Sequence, residues 1–230
     1  MCTEAIEIPR RDLVYKHIIR CGVRLKAKNR TVCSAIMMMH RLLGKEIGTI
    51  VCNYTLATAC IVLAAKYEED RELGVRDVIN ASHRILHPEG DPAKLNDHMY
   101  EVRRGVSELT FVILRELNFE LNSSIPFDLL AVYLDTMRSW MPKEFSEKPI
   151  ADACSTMLRD CYLVPDLILA HSPHVLVIAI ISLVLKGFDL EVPHSHDWYE
   201  VLHNSLSEQR LQKMESKIIR DVYSLEPSCS

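Results

Sequence analysis

The residue types that most often carry chemistry are scattered along this chain. Ten histidines and eight cysteines are present, but no two cysteines form a C-x-x-C pair. The seven glycines form neither a G-x-G-x-x-G loop nor a Walker phosphate loop. A Ser or Cys nucleophile also needs a base and an orienting group, and no such set can be assigned. We therefore predict no catalytic residue and no cofactor, which argues against an enzyme.

One pair of histidines has the spacing of a helical metal-binding pair. His83 and His87 stand four residues apart and would share one helix face. No further residues complete a tetrahedral ligand set, and His87 precedes Pro88 at a predicted helix end. We interpret both as surface or capping histidines and predict no metal site.

The most informative polar cluster is Lys66-Tyr67-Glu68-Glu69, which follows the eleven uncharged residues 55–65. A helix that is apolar on all sides has to be buried on all sides. The run contains small residues, which let neighbouring helices approach closely: Ala57, Ala59, Ala64 and Ala65. A charged cluster at the end of so rigid a helix can serve as a docking site for another protein. The alternative interpretation is an ordinary solvated helix end.

The overall charge argues against a nucleic-acid partner. The net charge is −4, and a nucleic-acid binder usually carries a basic stripe that neutralises phosphates. The pairs Arg10-Arg11 and Arg103-Arg104 are too small to supply one, although a local basic patch remains open.

Nothing in the sequence predicts a membrane segment or a secreted protein. The first residues lack the basic and apolar regions of a signal peptide. The uncharged segments 47–65 and 175–185 are better interpreted as core helices, because the first carries several polar residues and the second is far shorter than the ~20 residues of a span. Cysteines on apolar helical faces act as small hydrophobes, so we predict a reducing compartment without disulfides.

Helical periodicity recurs throughout and predicts an all-α fold. Five helices are expected in each half of the chain, and the third in each half, Thr55–Glu69 and Ser172–Lys186, is apolar nearly all round. The stretch Asn122-Ser-Ser-Ile-Pro126 separates the halves, with Ser124 as a possible cap of the next helix. We predict two tandem five-helix domains, residues 10–123 and 124–224, each wrapped around a central buried helix.

Three segments together resemble the cyclin family. Leu63-Ala-Ala-Lys66-Tyr-Glu-Glu69 resembles the core of a cyclin box, and Leu114-Arg-Glu-Leu-Asn-Phe119-Glu-Leu121 resembles the segment that closes the first box. Ser124-Ile-Pro126-Phe127 is similar to the linker into a second box. Within the family, Arg76–Arg84 and His87–Pro92 are most similar to the cyclin Q subfamily. The resemblance covers residues 10–224 and implies two cyclin boxes.

The resemblance implies a function as a non-catalytic subunit of a cyclin-dependent protein kinase, found in the nucleus, the cytoplasm or both. The first box would bind the mobile N-lobe helix of the kinase and stabilise the active positions of that helix and of the activation loop. If the chain is a member of the cyclin Q subfamily, its partner is the cyclin Q kinase. The alternative is a cyclin-fold transcription adaptor that binds DNA or polymerase, which would predict a basic groove and often a zinc ribbon.

The resemblance also implies the kinase-binding residues. Lys66 would donate to main-chain carbonyls of the kinase, Tyr67 would pack against it, and Glu68 or Glu69 would pair across the interface. Leu114, which opens the closing segment, belongs to the predicted set. Many cyclins carry a glutamate nine residues before the position of Phe119, where this chain has Thr110.

The nearest acid to that position is Glu108, about 200° away around the helix. The usual pair between lysine and glutamate is therefore not expected. We predict either a polar contact through Thr110, a weaker kinase contact, or compensation by residues outside the box.

Overall fold

The computed structural model describes residues 11–90, 97–121, 126–193, 197–204 and 206–223. Within these ranges the regular structure is entirely helical. The predicted domain boundary and the proposed Ser124 cap lie outside the described residues. Contacts divide the chain into two compact units, Met1–Ser123 and Ser124–Ser230, and each unit is described by itself.

The first unit is built around one central helix. Its helices, in chain order, are α1 (Arg11–Leu25), α2 (Asn29–Leu42), α3 (Ile47–Ile50), α4 (Asn53–Tyr67), α5 (Val75–Leu86) and α6 (Asp97–Glu116). The helix α4 packs against α1, α2, α5 and α6, and every residue from Leu56 to Ala65 is buried. Such contact on all sides is what an all-round apolar helix requires, so the predicted central helix is confirmed.

The expectation of one core helix over residues 47–65 is wrong. The short helix α3 ends at Ile50, Val51 is extended (φ −102°, ψ 140°), and α4 begins at Asn53. Gly48 and Thr49 have weak helix propensity, and an asparagine fits best at a helix start. The absence of charge therefore predicted the burial of residues 56–65 correctly, but Ile50 and Cys52 are exposed. It does not show where one helix ends and the next begins.

A buried polar network joins three helices of the first unit. His17 on α1 lies 3.0 Å (Nε2) from Ser82 Oγ on α5, and Ser82 Oγ lies 2.9 Å from Thr58 Oγ1 on α4. All three side chains are buried. Burial, with a smaller effect from the positive charge of Arg20, lowers the pKa of His17 from 6.5 to about 4. The fold therefore holds His17 in its neutral form.

Stability of the first unit is expected to fall as the pH drops from 7 towards 4. The unfolded chain protonates His17 near pH 6.5 while the folded chain does so only near 4, so the unfolded state gains about 2–3 kcal/mol across that window. Thermal unfolding of the parent and of His17→Gln at several pH values tests this. The glutamine variant should show a shallower decline between pH 6.5 and 4, and equal slopes would contradict the assignment to His17.

The second unit also has a central apolar helix. Its helices are α7 (Pro126–Trp140), α8 (Pro142–Glu147), α9 (Ile150–Cys161), α10 (Pro165–Leu169), α11 (Pro173–Gly187), α12 (Trp198–Leu202) and α13 (Glu208–Ile218), followed by a π-helical turn at Ile219–Tyr223. The helix α11 packs against α7, α9 and α13. The short helices α8 and α10 were not predicted. Each starts at a proline, a residue that suits a first helical position but carries no periodic signal.

Candidate functional site

The predicted docking cluster lies where α4 ends. Asp70 N donates to Ala65 O at 2.8 Å, Glu69 N donates to Lys66 O at 3.4 Å, and Glu69 has a left-handed backbone with φ 51°. These two bonds form a Schellman motif, which satisfies the last carbonyls of the helix. The chain therefore turns sharply after Tyr67. The sequence placed Glu69 inside the helix, whereas Glu68 caps it and Glu69 lies beyond it.

Two acidic side chains beside this turn point inward, towards α2. The Glu68 carboxylate accepts hydrogen bonds from Ser34 Oγ and from Arg30 Nε, the latter at 3.1 Å. The Asp70 carboxylate accepts from the backbone N–H of Lys28 at 3.0 Å and from Thr31 Oγ1 at 2.9 Å. Because Lys28 makes no side-chain cap of its own, Asp70 acts as the cap of α2. The last turn of α4 is thus fastened to its neighbour.

Three other side chains of the cluster point outward. Lys66 is exposed, and no carboxylate in the part of the chain described here pairs with its ammonium group. Tyr67 is 40% exposed. The Glu69 carboxylate lies 3.9 Å from Arg71, and both side chains are largely exposed, so this ion pair adds little stability. The outward group offers one free cation, one aromatic ring and one loosely held carboxylate.

An open groove runs beside Tyr67. It is lined by Tyr67, Phe119, Glu120 and Leu121, and the Phe119 ring is 69% exposed. Asn118 and Phe119 have left-handed backbones (φ 53° and 58°), which are costly for an aromatic residue. Exposed apolar surface held by a strained backbone indicates a binding site. In the sequence only Asn118 favours a left-handed backbone, and Phe119 was not among the predicted site residues.

Two basic side chains donate hydrogen bonds to backbone carbonyls next to the strained pair Asn118 and Phe119. Arg41, near the end of α2, donates to Glu120 O and, at 3.4 Å, to Leu117 O. Lys45 donates to Glu116 O. Charged donors make the stronger class of hydrogen bond to carbonyls. The groove wall therefore belongs to the rigid body of the first unit.

The remaining predicted residues lie on α6. Leu114 is half-buried, whereas Thr110 is buried and donates from Oγ1 to Ser107 O of its own helix at 2.7 Å. Glu108 is exposed and pairs with Arg104 at 2.8 Å. Thr110 and Glu68 thus have their side chains turned into the fold, which is not the surface placement expected of a contact residue. Lys66, Tyr67, Glu69 and Leu114 keep accessible surface.

The end of α11 in the second unit offers an internal comparison. Lys186 has the same place before the helix end as Lys66, Asp189 has a left-handed backbone (φ 53°), and Leu190 N donates to Leu185 O at 3.0 Å. Here, however, the Lys186 ammonium lies 2.6 Å from the Glu215 carboxylate on α13. The backbone carbonyl of Phe188 accepts from Lys148 at 2.6 Å.

Glu215 and Thr110 occupy matching places on the last long helix of their units. The buried residues Val106, Thr110, Ile113 and Leu117 have the same spacing as Leu211, Glu215, Ile218 and Val222. The lysine–glutamate pair that Thr110 precludes in the first unit is therefore present in the second. In the second unit, Glu215 pairs with the lysine at the end of α11. In the first unit, Lys66 has no such partner among the described residues and can donate to another molecule.

The exposed ammonium group of Lys66, the ring of Tyr67 and the apolar surface of Phe119 are suited to binding another molecule. Within the described ranges, no group of three or more His, Cys, Asp or Glu side chains could hold a metal ion. His83 and His87 lie side by side, with ring centroids 5.0 Å apart. No disulfide joins the cysteines in the same ranges. No helix among these residues has both the length and the apolar character needed to cross a bilayer.

Comparison with known proteins matches the chain to one family and to several individual proteins of that family. The family described as "Cyclin, N-terminal domain" matches residues 2–122. Cyclin-T1 of Mus musculus is 26% identical over 203 residues, which are 86% of this chain and 27% of that protein. Cyclin-T1-3 of Arabidopsis thaliana is 24% identical over 184 residues, which are 78% of this chain and 55% of that protein. The chain thus spans between about a quarter and about half of these relatives.

A solved structure supports the fold over most of the chain. A chain in the crystal structure of the yeast RNA Pol II CTD kinase CTDK-1 complex superposes with a TM-score of 0.64 at 17% sequence identity. The match covers 91% of this chain and 64% of that one. At this identity the likeness concerns the fold alone.

Proposed function

Since the chain belongs to the cyclin family, we propose that it is a non-catalytic regulatory subunit that binds and activates a cyclin-dependent protein kinase. The observation that carries this proposal is the open end of α4. Lys66 is exposed and unpaired among the described residues, and the groove that Tyr67 and Phe119 line is open. The equivalent lysine of the second unit is occupied by Glu215.

The open helix end has the groups needed to hold a kinase helix. Lys66 would donate to main-chain carbonyls of the kinase, and a hydrogen bond from a charged donor contributes about 1.5–3 kcal/mol. The groove would receive an apolar side chain of the same kinase segment. Because these contacts form only with the active position of the kinase N-lobe helix, binding shifts the population of that conformer. A shift from mostly inactive to mostly active needs several kcal/mol of differential affinity.

The proposed contact set is Lys66, Tyr67, Glu69 and Leu114, to which the groove adds Phe119. Glu68 and Asp70 support it from within the fold by fastening the helix end to α2. Thr110 is buried in α6, so we do not propose it as a contact residue. The acceptors for Lys66 would then be groups of the kinase.

We place the first cyclin box at residues 10–123 and the second at 124–224, and only the first would dock the kinase. The subfamily proposal is cyclin Q, supported by Arg76–Arg84 and His87–Pro92, and it would make the partner the cyclin Q kinase. The location proposed is the nucleus, the cytoplasm or both, which suits cysteines that are not in disulfides.

Affinity purification of the tagged full chain from cells, followed by mass spectrometry, tests the function. We expect a cyclin-dependent kinase as a stoichiometric partner, and peptide phosphorylation by that kinase should rise when the purified chain is added. The identity of the kinase decides the subfamily. Recovery of polymerase or promoter DNA without a kinase would support a transcription adaptor and overturn the proposal, as would a kinase that binds the chain without gaining activity.

A further inference from the structure

Positive charge is concentrated at one place in a chain that is acidic overall. Eight of the 27 Lys and Arg residues lie within residues 10–30, and this segment holds a single acid, Asp12. In the rest of the chain, acids outnumber Lys and Arg by 30 to 19. The sequence alone left a local basic patch open, and the structure shows how these charges are arranged on α1 and the turn after it.

Three of the basic side chains follow one face of α1. Lys16, Arg20 and Arg24 are spaced four residues apart, so they stack along the helix over about 12 Å. Lys26 lies in the turn that follows α1, where its backbone is left-handed (φ 55°). We call these four residues the α1 basic row.

Most of this row has no partner of its own. Lys16 lies 3.8 Å from Asp12, and both side chains are partly exposed. Arg20, Arg24 and Lys26 are exposed, and no carboxylate of the described chain pairs with them. The following Lys28 and Arg30, by contrast, bond to Glu69 O and to Glu68. The row is therefore free to meet an anionic ligand.

Two exposed apolar residues lie on the same face. Leu13 is seven residues before Arg20 and Val23 three after it, which are same-face spacings, and they are 45% and 63% exposed. The phosphate groups of a nucleic acid would contact the charges of the row but would not cover these apolar side chains. The one aromatic residue of α1, Tyr15, is buried, so the row offers no ring on which a base could stack. A long polyanion would also be repelled by the negative net charge of the rest of the chain.

We propose that the α1 basic row, with Leu13 and Val23, binds an Asp/Glu-rich segment of a partner protein that carries interspersed apolar residues. Carboxylates would meet Arg20, Arg24 and Lys26, and apolar side chains would cover Leu13 and Val23. Electrostatic complementarity of this kind speeds association and selects among partners. The row does not include Lys66 or the groove beside Tyr67, so this proposal and the kinase-binding proposal stand or fall separately.

Fluorescence anisotropy with the purified full chain and a labelled peptide of alternating glutamate and leucine tests the proposal. We expect binding at low salt that weakens strongly at high salt, because surface charges are screened within a Debye length. The double variant Arg20→Glu/Arg24→Glu should bind the peptide about tenfold or more weakly, about 1.4 kcal/mol. Lys143→Glu/Arg210→Glu is the matched control, since it makes the same change of net charge at exposed residues of the second unit.

Any of four binding results would overturn the proposal. They are absence of peptide binding by the parent at low salt, equal weakening by the two double variants, binding that is unaffected by either variant, and tighter binding of a single-stranded oligonucleotide than of the peptide. Circular dichroism of both variants checks that they are folded. Kinase association by Arg20→Glu/Arg24→Glu should match the parent, and its loss would assign the row to the kinase interface instead.

Discussion

Lys66→Glu is expected to abolish association with the kinase while leaving the fold unchanged. The parent ammonium is exposed and makes no internal ion pair in the described structure, so its removal costs the fold little. At the interface the change loses charge-assisted hydrogen bonds worth about 1.5–3 kcal/mol each. It also puts a carboxylate against carbonyl oxygens, which leaves both unpaired. Co-purification with the kinase measures binding, and circular dichroism measures folding.

Lys186→Glu provides the matched control, because Lys186 holds the same place at the end of α11. Its change should lower thermal stability, since Glu215 is only 9% exposed and would lose its cation and face a like charge. Kinase association by the folded fraction should persist. Normal kinase binding by a folded Lys66→Glu chain would refute the docking site, and equal loss of binding in both variants would show that Lys66 has no special role.

Ala64→Trp is expected to unfold the first unit. The Ala64 side chain is fully buried on α4, and α4 is packed by four helices. Adding even a few atoms to a well-packed core usually costs 1–3 kcal/mol, and an indole in place of a methyl group exceeds that. A loss of several kcal/mol is a large part of the 5–15 kcal/mol that stabilises a typical domain. Thermal and urea unfolding followed by circular dichroism measure the change.

Tyr67→Trp is the control for this experiment. It adds bulk three residues later on the same helix, at a side chain that is 40% exposed, and its unfolding midpoint should stay close to that of the parent. An Ala64→Trp chain that unfolds at the parent temperature would show that α4 is not the closely packed centre of the first unit.

The sequence predicted the central helices because their pattern is local. The uncharged runs that end at Lys66 and Lys186 required burial on all sides, and both helices have it. The break between Ile50 and Asn53 was missed because a run without charge looks the same whether it forms one helix or two. The short helices α8 and α10 were missed because five or six residues are too few to show a period.

The functional site could be predicted from the sequence only in part, for a different reason. The exposure of Lys66 and Tyr67 follows from their position at the end of a buried helix. The inward turn of Glu68 depends on Arg30 and Ser34, which stand 38 and 34 residues away in sequence. The capping of α2 by Asp70 spans a similar distance. Such pairings are set by tertiary packing, and no short motif encodes them.

The fastening of the α4 end to α2 has a consequence for how fast a complex forms. Glu68 and Asp70 order the last turn of α4 in the free chain, so this surface is preorganised and has little conformational entropy left to lose on association. If the proposed kinase is the partner, the cost of ordering falls on the kinase helix. Association should therefore behave as conformational selection on the kinase side, where the observed rate levels off with rising concentration of this chain at the rate at which the kinase helix reaches its active position.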